Sequence, residues 1–337
     1  MKKTVFVLGM HRSGTSATAG MLTLAGLDPG KSLIAAQQDN PKGFYENAEI
    51  VEIHDRLLHE INSGYFDLKR LVCGWLGSQS VVQAKEKLKD ALKSQFQKNA
   101  IKLIKDPRLS RVLPIWLDGD LPLGEVSAVF VLRHPMESAY SLATRDKVSL
   151  SHALGLWLRY NLDAEKYSRD MRRVVVHYPH FLQNWEAELT NISNALALGL
   201  EPLSVQSREK IRNFIDSDLN HHHGSESSRL PETVPDYLVN WCLEAHQALQ
   251  TLSDPKSLEI LEKIRNNFNL SFDNALHLRD QDNYVFQKIL IREEMIRKRE
   301  EELMGVYNSL SWRVTYILRY ISKVLLGRQF QNKRRLG

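Results

Sequence analysis

The stretch that decides the fold is Thr4-Val-Phe-Val-Leu8, followed directly by Gly9-Met-His-Arg-Ser-Gly-Thr-Ser16. The first five residues are β-branched or apolar, which is typical of a buried strand. From about Ser13 the apolar residues return at helical spacing, for example at Ala17 and Met21. The stretch therefore predicts a strand, a glycine loop and a helix. Backbone N–H groups and the positive end of the helix dipole would make this loop an anion cradle.

The rest of the chain repeats the alternation of strand and helix. Short apolar runs predict further strands at Ile101–Ile104, Val126–Leu132 and Arg173–His177. Helical patterns lie between them, at Ala48–Ile61, Val81–Gln97, Glu137–Thr144 and His152–Tyr167. This order predicts an α/β fold, a three-layer parallel sheet with a P-loop-like phosphate-binding loop. We expect one domain over residues 1–280, with the α/β core at about 1–200 and a helical completion at about 200–280.

Composition narrows the class of protein. A chain of 337 residues with 43% hydrophobic residues can bury a sizeable core, which excludes a disordered or fibrous protein. Cys73 and Cys242 cannot form a disulfide framework and favour a reducing compartment. The apolar run after Met1-Lys2-Lys3 is too short for a signal peptide, and no run reaches the roughly 18 apolar residues of a membrane span. A cytoplasmic location is expected.

The positive charge is concentrated at the end of the chain. Residues 285–337 hold twelve Lys or Arg and five Asp or Glu, so their net charge is +7, whereas residues 1–284 sum to −2. An acidic body argues against nucleic-acid binding, and a basic helical tail points to an anionic surface. Ile289, Ile296 and Leu303 lie seven residues apart, which favours a helix and a weakly signalled coiled coil.

The last helical pattern, Ser311–Leu326, combines one apolar face with aromatic residues and a cationic border. This pattern is typical of a helix that lies in a membrane interface. We expect it to meet the inner face of the cytoplasmic membrane as a peripheral anchor. Packing against the core or in a homodimer is the alternative.

Two places along the sheet can bind phosphate. The spacing of Gly9–Ser16 resembles the P-loop G-x-x-x-x-G-K-[ST], but Thr15 stands where a nucleotide triphosphatase has its lysine, and Arg12 supplies the cation instead. A plain tight turn is the alternative. Arg133 follows the strand Val126–Leu132, and Ser141 lies eight residues later, where an arginine and a hydroxyl can grip a phosphate. A capped helix with a surface arginine is the alternative there.

These segments resemble the sulfotransferases that use 3′-phosphoadenosine-5′-phosphosulfate (PAPS), above all the bacterial, carbohydrate-type members. Arg12–Ser16 matches their [KR]-S-G-T-[ST] loop, and Arg133 with Ser141 matches their 3′-phosphate site. Ile104–Arg108 before Leu113-Pro114 is similar to their K-D-P-R…L-P segment, and Arg173–Tyr178 is similar to the strand whose tyrosine packs on adenine. The resemblance covers about residues 4–200. It implies PAPS as donor, no metal, a glycan or glycolipid hydroxyl as acceptor, and donor contacts from Arg12, Ser13, Gly14, Thr15, Ser16, Arg133, Ser141 and Tyr178.

Two departures from the family pattern matter. Pro107 stands where the small-molecule members have their K-T-H histidine base, which leaves the base unassigned by that motif. Their late R-K-G run is missing too, so part of the 3′-phosphate clamp has no counterpart, and Arg145 is a candidate helper.

Sulfonate transfer needs cations at the bridging oxygen and a base for the acceptor hydroxyl. Arg12 and Lys105 are the expected cations. Glu46 is the favoured base, because the segment Asn40–Glu46, which precedes a helix that Asn47 would cap, resembles the short loop that brings a catalytic glutamate to the sulfuryl group in carbohydrate sulfotransferases. A solvated acid at a helix start is the plainer alternative. Asp106 and His11 remain alternative bases; Asp106 is better suited to orient Lys105 or Arg108, and His11 to line the pocket.

Three other readings stay open. His221–His223 could bind a metal, although a polar lid loop fits three adjacent histidines better. The chain could be another P-loop enzyme, a kinase or nucleotide triphosphatase, against which the missing lysine weighs. It could also be a non-catalytic, membrane-associated scaffold that works through its tail.

Overall fold

A computed structural model describes residues 2–37, 40–98, 100–200, 202–216, 234–278 and 283–308. Its centre is a sheet of four strands, β1 (Lys3–Leu8), β2 (Lys102–Lys105), β3 (Glu125–Leu132) and β4 (Arg172–His177). The strands lie in the order β2-β1-β3-β4, and all three neighbouring pairs are parallel. The four predicted strands and the parallel α/β fold are confirmed.

The described residues contain thirteen α-helices. They are α1 (Thr15–Leu24), α2 (Ala48–Glu60), α3 (Gln79–Gln95), α4 (Leu109–Val112), α5 (Pro114–Leu117), α6 (Pro135–Asp146), α7 (Leu150–Tyr167), α8 (Tyr178–Gln183), α9 (Trp185–Ala195), α10 (Val205–Asp216), α11 (Asp236–Leu249), α12 (Pro255–Leu278) and α13 (Asn283–Asn308). Local signals fix several starts. The Asn47 side chain accepts the N–H of Ile50 at 3.3 Å, as predicted, and Pro135 occupies the first turn of α6.

Each face of the sheet has its own core, because side chains alternate along every strand. Phe6 and Leu8 of β1 point into one core, which α2 to α7, α11 and α12 complete. Val5 and Val7 point into the other core, against α1 and α8 to α10. Helices therefore cover both faces, and the predicted three-layer architecture is confirmed. Trp116 and Trp157 are buried in the first core.

The carboxyl ends of the strands meet at one edge of the sheet. Val7 pairs with Lys105, Leu8 pairs with Phe130, and Leu132 pairs with His177. The loop after β1 and the segments that follow β2, β3 and β4 therefore leave the sheet side by side. Open α/β sheets bind their ligands at this edge.

The chain divides into two compact units after Phe272. In the second unit, α13 coincides with the helix predicted at residues 285–305, whereas the coiled coil and the domain limits at 280 and 285 stay predictions. The amphipathic helix predicted at Ser311–Leu326 and the lid loop predicted around His221–His223 lie outside the described residues. Among the helices that the structure describes, none combines the length and apolar character of a membrane span.

Candidate active site

The loop between β1 and α1 has the backbone of an anion cradle. Gly14 caps α1 in the left-handed conformation, at φ 93°. The first N–H groups of a helix, here those of Thr15 and Ser16, have no partner within the helix and are available to an anion. Arg12 is also left-handed, at φ 64°, which is strained for a residue with a Cβ. Such strain is found where surrounding structure holds a functional side chain in place.

The two predicted phosphate-binding segments, Gly9–Ser16 and Arg133–Ser141, are in contact. Arg12 donates from Nε to Ser141 Oγ at 2.9 Å. Arg133 donates from Nη1 to the carbonyl of Arg12 at 3.2 Å. A third contact, 3.3 Å between the hydroxyls of Ser13 and Ser138, fastens the loop to α6. The guanidinium groups at positions 12 and 133 therefore belong to one site.

Tyr178 lies against this site from the end of β4. The guanidinium carbon of Arg133 is 5.0 Å from the centre of the Tyr178 ring, and the ring stacks on Phe181 at 6.2 Å. Gly14 sits so close to it that a Cβ there would meet the ring at 2.0 Å. Burial raises the pKa of Tyr178, so the ring stays neutral. The site thus joins two cations to an aromatic face.

A buried ion pair lies next to the loop. Lys105, the last residue of β2, is ion-paired with Glu46 and donates to Ser16 Oγ at 3.0 Å. Burial raises the pKa of the Glu46 carboxyl, although the charge of Lys105 opposes that effect. Tyr45, just before Glu46, is left-handed at φ 55°. A cation and a carboxylate with a raised pKa are therefore linked to the anion cradle through the hydroxyl of Ser16.

Asp106 faces away from this pair, into a buried network. It accepts from His54 Nδ1 at 2.8 Å and from Nη1 and the backbone N–H of Arg108, each at 3.0 Å. Trp116 donates its indole N–H to His54 Nε2 at 3.0 Å, so the proton of His54 lies on Nδ1. Burial alone would raise the pKa of Asp106, but the charge of Arg108 and these bonds hold it well below its usual range. Asp106 is thus a poor base and an anchor for Arg108.

The sequence interpretation missed His54 and Trp116. His54 falls on the apolar stripe of α2, between Ile53 and Leu57, and it is fully buried. A buried histidine needs hydrogen-bond partners, and that is the signal that could have singled it out.

His11 is held between two tyrosines inside the loop. Its ring centre is 5.7 Å from that of Tyr65 and 5.4 Å from that of Tyr160. Its Nε2 is buried and has no hydrogen-bond partner among the described residues. Burial, followed by the charges of Arg108 and Arg145, lowers its pKa well below the usual value, so the imidazole is neutral. His11 lines the site as an uncharged group with one unused nitrogen.

Apart from Asp106 and His11, the sequence-predicted residues form two adjoining groups, which we name after the roles that the sequence predicts for them. The donor group consists of Arg12, Ser13, Gly14, Thr15, Arg133, Ser141 and Tyr178, and the reactive group of Ser16, Lys105 and Glu46. Arg145 is ion-paired with Asp146, with Nη2 and Oδ2 2.8 Å apart. Within the part of the chain that the structure describes, no three His, Cys, Asp or Glu side chains are grouped so that they could hold a metal.

No family model and no curated protein sequence matches this chain. Its structure is similar to the sulfotransferase domain of the olefin synthase from Synechococcus PCC 7002, at a TM-score of 0.40 and 15% identity, over 79% of this chain and 96% of that domain. It is also similar to the sulfotransferase domain from the curacin biosynthetic pathway, at a TM-score of 0.37 and 13% identity, over 61% of this chain and 77% of that domain.

Proposed function

We propose that this chain is a PAPS-dependent sulfotransferase that moves a sulfuryl group to a hydroxyl of a carbohydrate or glycolipid. The observation that supports this most is the meeting of two phosphate grips at one sheet edge. The loop after β1 and the Arg133–Ser141 segment are joined through Arg12, so one ligand with phosphates at both ends can reach both. A nucleotide triphosphatase would need one grip and its lysine.

The residues of the donor group divide the work of binding. The backbone N–H groups of Ser13–Ser16 and the side chain of Arg12 would hold the 5′-phosphosulfate. Arg133 and Ser141 would hold the 3′-phosphate. The Tyr178 face, already in contact with the Arg133 cation, suits a purine ring. PAPS supplies a sulfuryl group on a leaving group that departs as the bisphosphate PAP.

The reactive pair would serve the transfer itself. The acceptor oxygen forms its bond to sulfur while the bond from sulfur to the bridging oxygen breaks, and the hydroxyl proton goes to Glu46. A raised pKa makes that carboxylate a better proton acceptor than a solvated one. Lys105 and Arg12 stabilise the charge that collects on the leaving oxygen. Lys105 bonds both Glu46 and Ser16, so it links the base to the cradle.

The test is transfer of radiolabelled sulfate from PAPS by the purified protein. We expect Glu46→Gln to lower the rate by about 1000-fold and to leave PAP binding in place. In the unchanged protein the rate should fall as the pH decreases through the raised pKa of Glu46, because only the ionised carboxylate accepts the proton. Arg12→Ala and Arg133→Ala should each lose donor binding. Unchanged PAPS binding in both would refute the site, and magnesium-dependent ATP turnover would favour the kinase alternative.

The positive charge of residues 285–337 bears on where in the cell this reaction takes place. We propose that residues 285–337, with a net charge of +7, hold the enzyme on the inner face of the cytoplasmic membrane, near a glycolipid acceptor. Full-length protein should sediment with anionic vesicles and not with neutral ones, and a chain ending at residue 284 should not sediment with either. If the full-length protein forms dimers that are lost in the chain ending at residue 284, and does not sediment with vesicles, the homodimer alternative would be supported instead.

A further inference from the structure

A cavity of about 440 Å³ has Tyr65 in its lining, and none of its lining residues belongs to the donor group or to the reactive group. One wall is aromatic and is formed by Tyr65 and Phe66, from the segment after α2. The other wall is polar and is formed by Asp146, Ser149 and His152, around the start of α7. An apolar pocket with a few convergent polar groups is the usual form of a small-ligand site.

Tyr65 places this cavity next to the site. Its ring centre is 5.7 Å from that of His11, inside the loop, and 5.7 Å from the guanidinium carbon of Arg108. The charges of Lys105 and Arg145 both act on His11. Arg145 is the ion-pair partner of Asp146, a lining residue, so His11 lies within electrostatic reach of the reactive pair and of the cavity.

The polar wall is electrically neutral. Asp146 is balanced by Arg145. Burial lowers the pKa of His152, so this imidazole is uncharged, and it donates its N–H to the backbone of Phe66. Its other ring nitrogen is then an acceptor. Ser149, whose Oγ accepts the backbone N–H of His152 at 3.2 Å, still has its own proton to donate. The wall offers hydrogen bonds to hydroxyl groups. No Lys or Arg is among the lining residues, and the charge of the neighbouring Arg145 is already balanced by Asp146, so the wall gives an anionic ligand no cation to pair with.

The aromatic wall is left open to solvent. Phe66 is 53% exposed, and its ring meets that of Tyr65 edge to face at 5.4 Å. An exposed ring beside hydroxyl-binding groups matches a sugar, which has an apolar C–H face and a rim of hydroxyls.

We propose that this cavity is the acceptor subsite and that it takes a neutral sugar ring, packed on Phe66 and hydrogen-bonded to His152 and Ser149. This assignment rests on the proposed function and sharpens it, because it excludes uronic acids and phosphorylated sugars as the residue that is bound there.

Binding is tested first, without the donor, by saturation-transfer NMR on the full chain. The probes are methyl glucoside, methyl galactoside and methyl mannoside, with methyl glucuronide as the acidic counterpart. At least one neutral glycoside should give a signal, and the glucuronide should not. Phe66→Ala should abolish the signal and Phe66→Trp should keep it. Val82→Ala is the matched control, since Val82 is 50% exposed on α3 and does not line the cavity.

Transfer is tested next, with the bound glycoside as acceptor. Phe66→Ala should raise its KM about tenfold, with kcat and PAP affinity near those of the unchanged protein. Equal or stronger binding of the glucuronide, or an unchanged KM in Phe66→Ala, would overturn the inference. If the protein still binds PAP, the proposed function would stand. Absence of PAP binding in the unchanged protein would instead overturn the proposed function, whatever the sugars do.

Discussion

Two ion pairs at the same sheet edge invite comparison. Lys105 and Glu46 have side chains that are 2% and 9% exposed, whereas Arg133 and Glu137 are 9% and 46% exposed. Each basic residue lies at the end of a strand and each pairs with a glutamate. The difference lies in the acid, which is buried in the first pair and half in water in the second.

This difference separates two tasks. A buried charge that loses its partner is left without solvation, so Lys105 and Glu46 depend on each other or on a reactant that replaces one of them. Glu137 can turn into solvent at little cost, because an exposed ion pair contributes little. We therefore propose that Arg133 can exchange Glu137 for a phosphate. The first pair suits chemistry and the second suits reversible binding.

The largest effect is expected from Lys105→Ala. It removes the cation that we propose stabilises the leaving oxygen, and it leaves the Glu46 carboxylate buried without its partner. Sulfate transfer should fall about 1000-fold, and the free energy of unfolding should fall by about 3 kcal/mol. Turnover of labelled PAPS and urea denaturation measure the two losses separately.

The double variant Lys105→Ala with Glu46→Gln is the control for this comparison. Removing the acid's charge should restore most of the stability and none of the activity. If the single variant were as stable as the unchanged protein, the pair would not be an isolated buried charge pair, and the contrast with Arg133–Glu137 would fail.

Arg133→Ala should act mainly on binding. PAP affinity should fall about 100-fold, because a charge-assisted hydrogen bond to a phosphate is lost. The free energy of unfolding should fall less than in Lys105→Ala, because Glu137 stays solvated when its partner is removed. Isothermal titration with PAP measures the first. Glu137→Gln is the matched control, and it should bind PAP at least as tightly as the unchanged protein, since a competing carboxylate is gone. Weaker PAP binding by Glu137→Gln would contradict an exchangeable arginine.

The part of the site that the sequence predicted is the part that follows from strand ends. Once β1 and β3 are recognised as neighbouring parallel strands, the loop at Gly9–Ser16 and Arg133 must leave the sheet at the same edge. Ser141 follows from helical spacing along α6. Glu46 was predicted from the resemblance of Asn40–Glu46 to the glutamate loop of carbohydrate sulfotransferases, and in the structure it is ion-paired with Lys105.

The remainder depends on packing between distant segments. Asp106 is bound by His54, which lies 52 residues away, and Trp116 completes that network from another helix. The spacing of apolar residues in the sequence does not show which face of α2 packs against the turn that follows β2. Glu137 was equally hidden, because its pairing with Arg133 depends on rotamers within the first turn of α6. Partner choice among buried polar groups is a tertiary property.

Gly14→Ala sharpens the binding half of the comparison. Gly14 and Gly26 both have a positive φ, of 93° and 112°, so alanine is strained at either position by about 1 kcal/mol. Only at Gly14 would the new Cβ meet a ring, that of Tyr178, whereas at Gly26 nothing lies within 4 Å. We expect Gly14→Ala to lower PAP affinity about tenfold, because the ring must leave its place beside Arg133.

Gly26→Ala is the control for backbone strain alone. It should lose about 1 kcal/mol of stability and keep its PAP affinity. Equal PAP affinities for the two alanine variants would show that the contact with Tyr178 does not position the donor.

The smallest effect concerns the histidines behind Arg133. The ring of His246 lies 5.3 Å from that of His134 and 6.2 Å from that of Trp157, which donates to the Arg133 carbonyl. Burial, followed by the charges of His134 and His177, lowers the pKa of His246 to about 4. The unfolded chain then binds a proton at a pH where the folded chain does not. Stability is complete above the ordinary pKa of 6.5 and is lost as the pH falls towards 4.

His246→Asn should remove part of that loss. Because His246 is only half-buried, solvent screening reduces the effect to on the order of 1 kcal/mol between pH 7.5 and pH 5. Urea denaturation at the two pH values measures it, and His59→Asn, at an exposed position on α2, is the control. A variant whose stability falls with pH as steeply as that of the unchanged protein would show that these imidazoles are solvated. The surroundings of Arg133 would then be more accessible to solvent than the lowered pKa of His246 implies. The difference in solvent exposure between this region and the Lys105–Glu46 pair would be larger than described above.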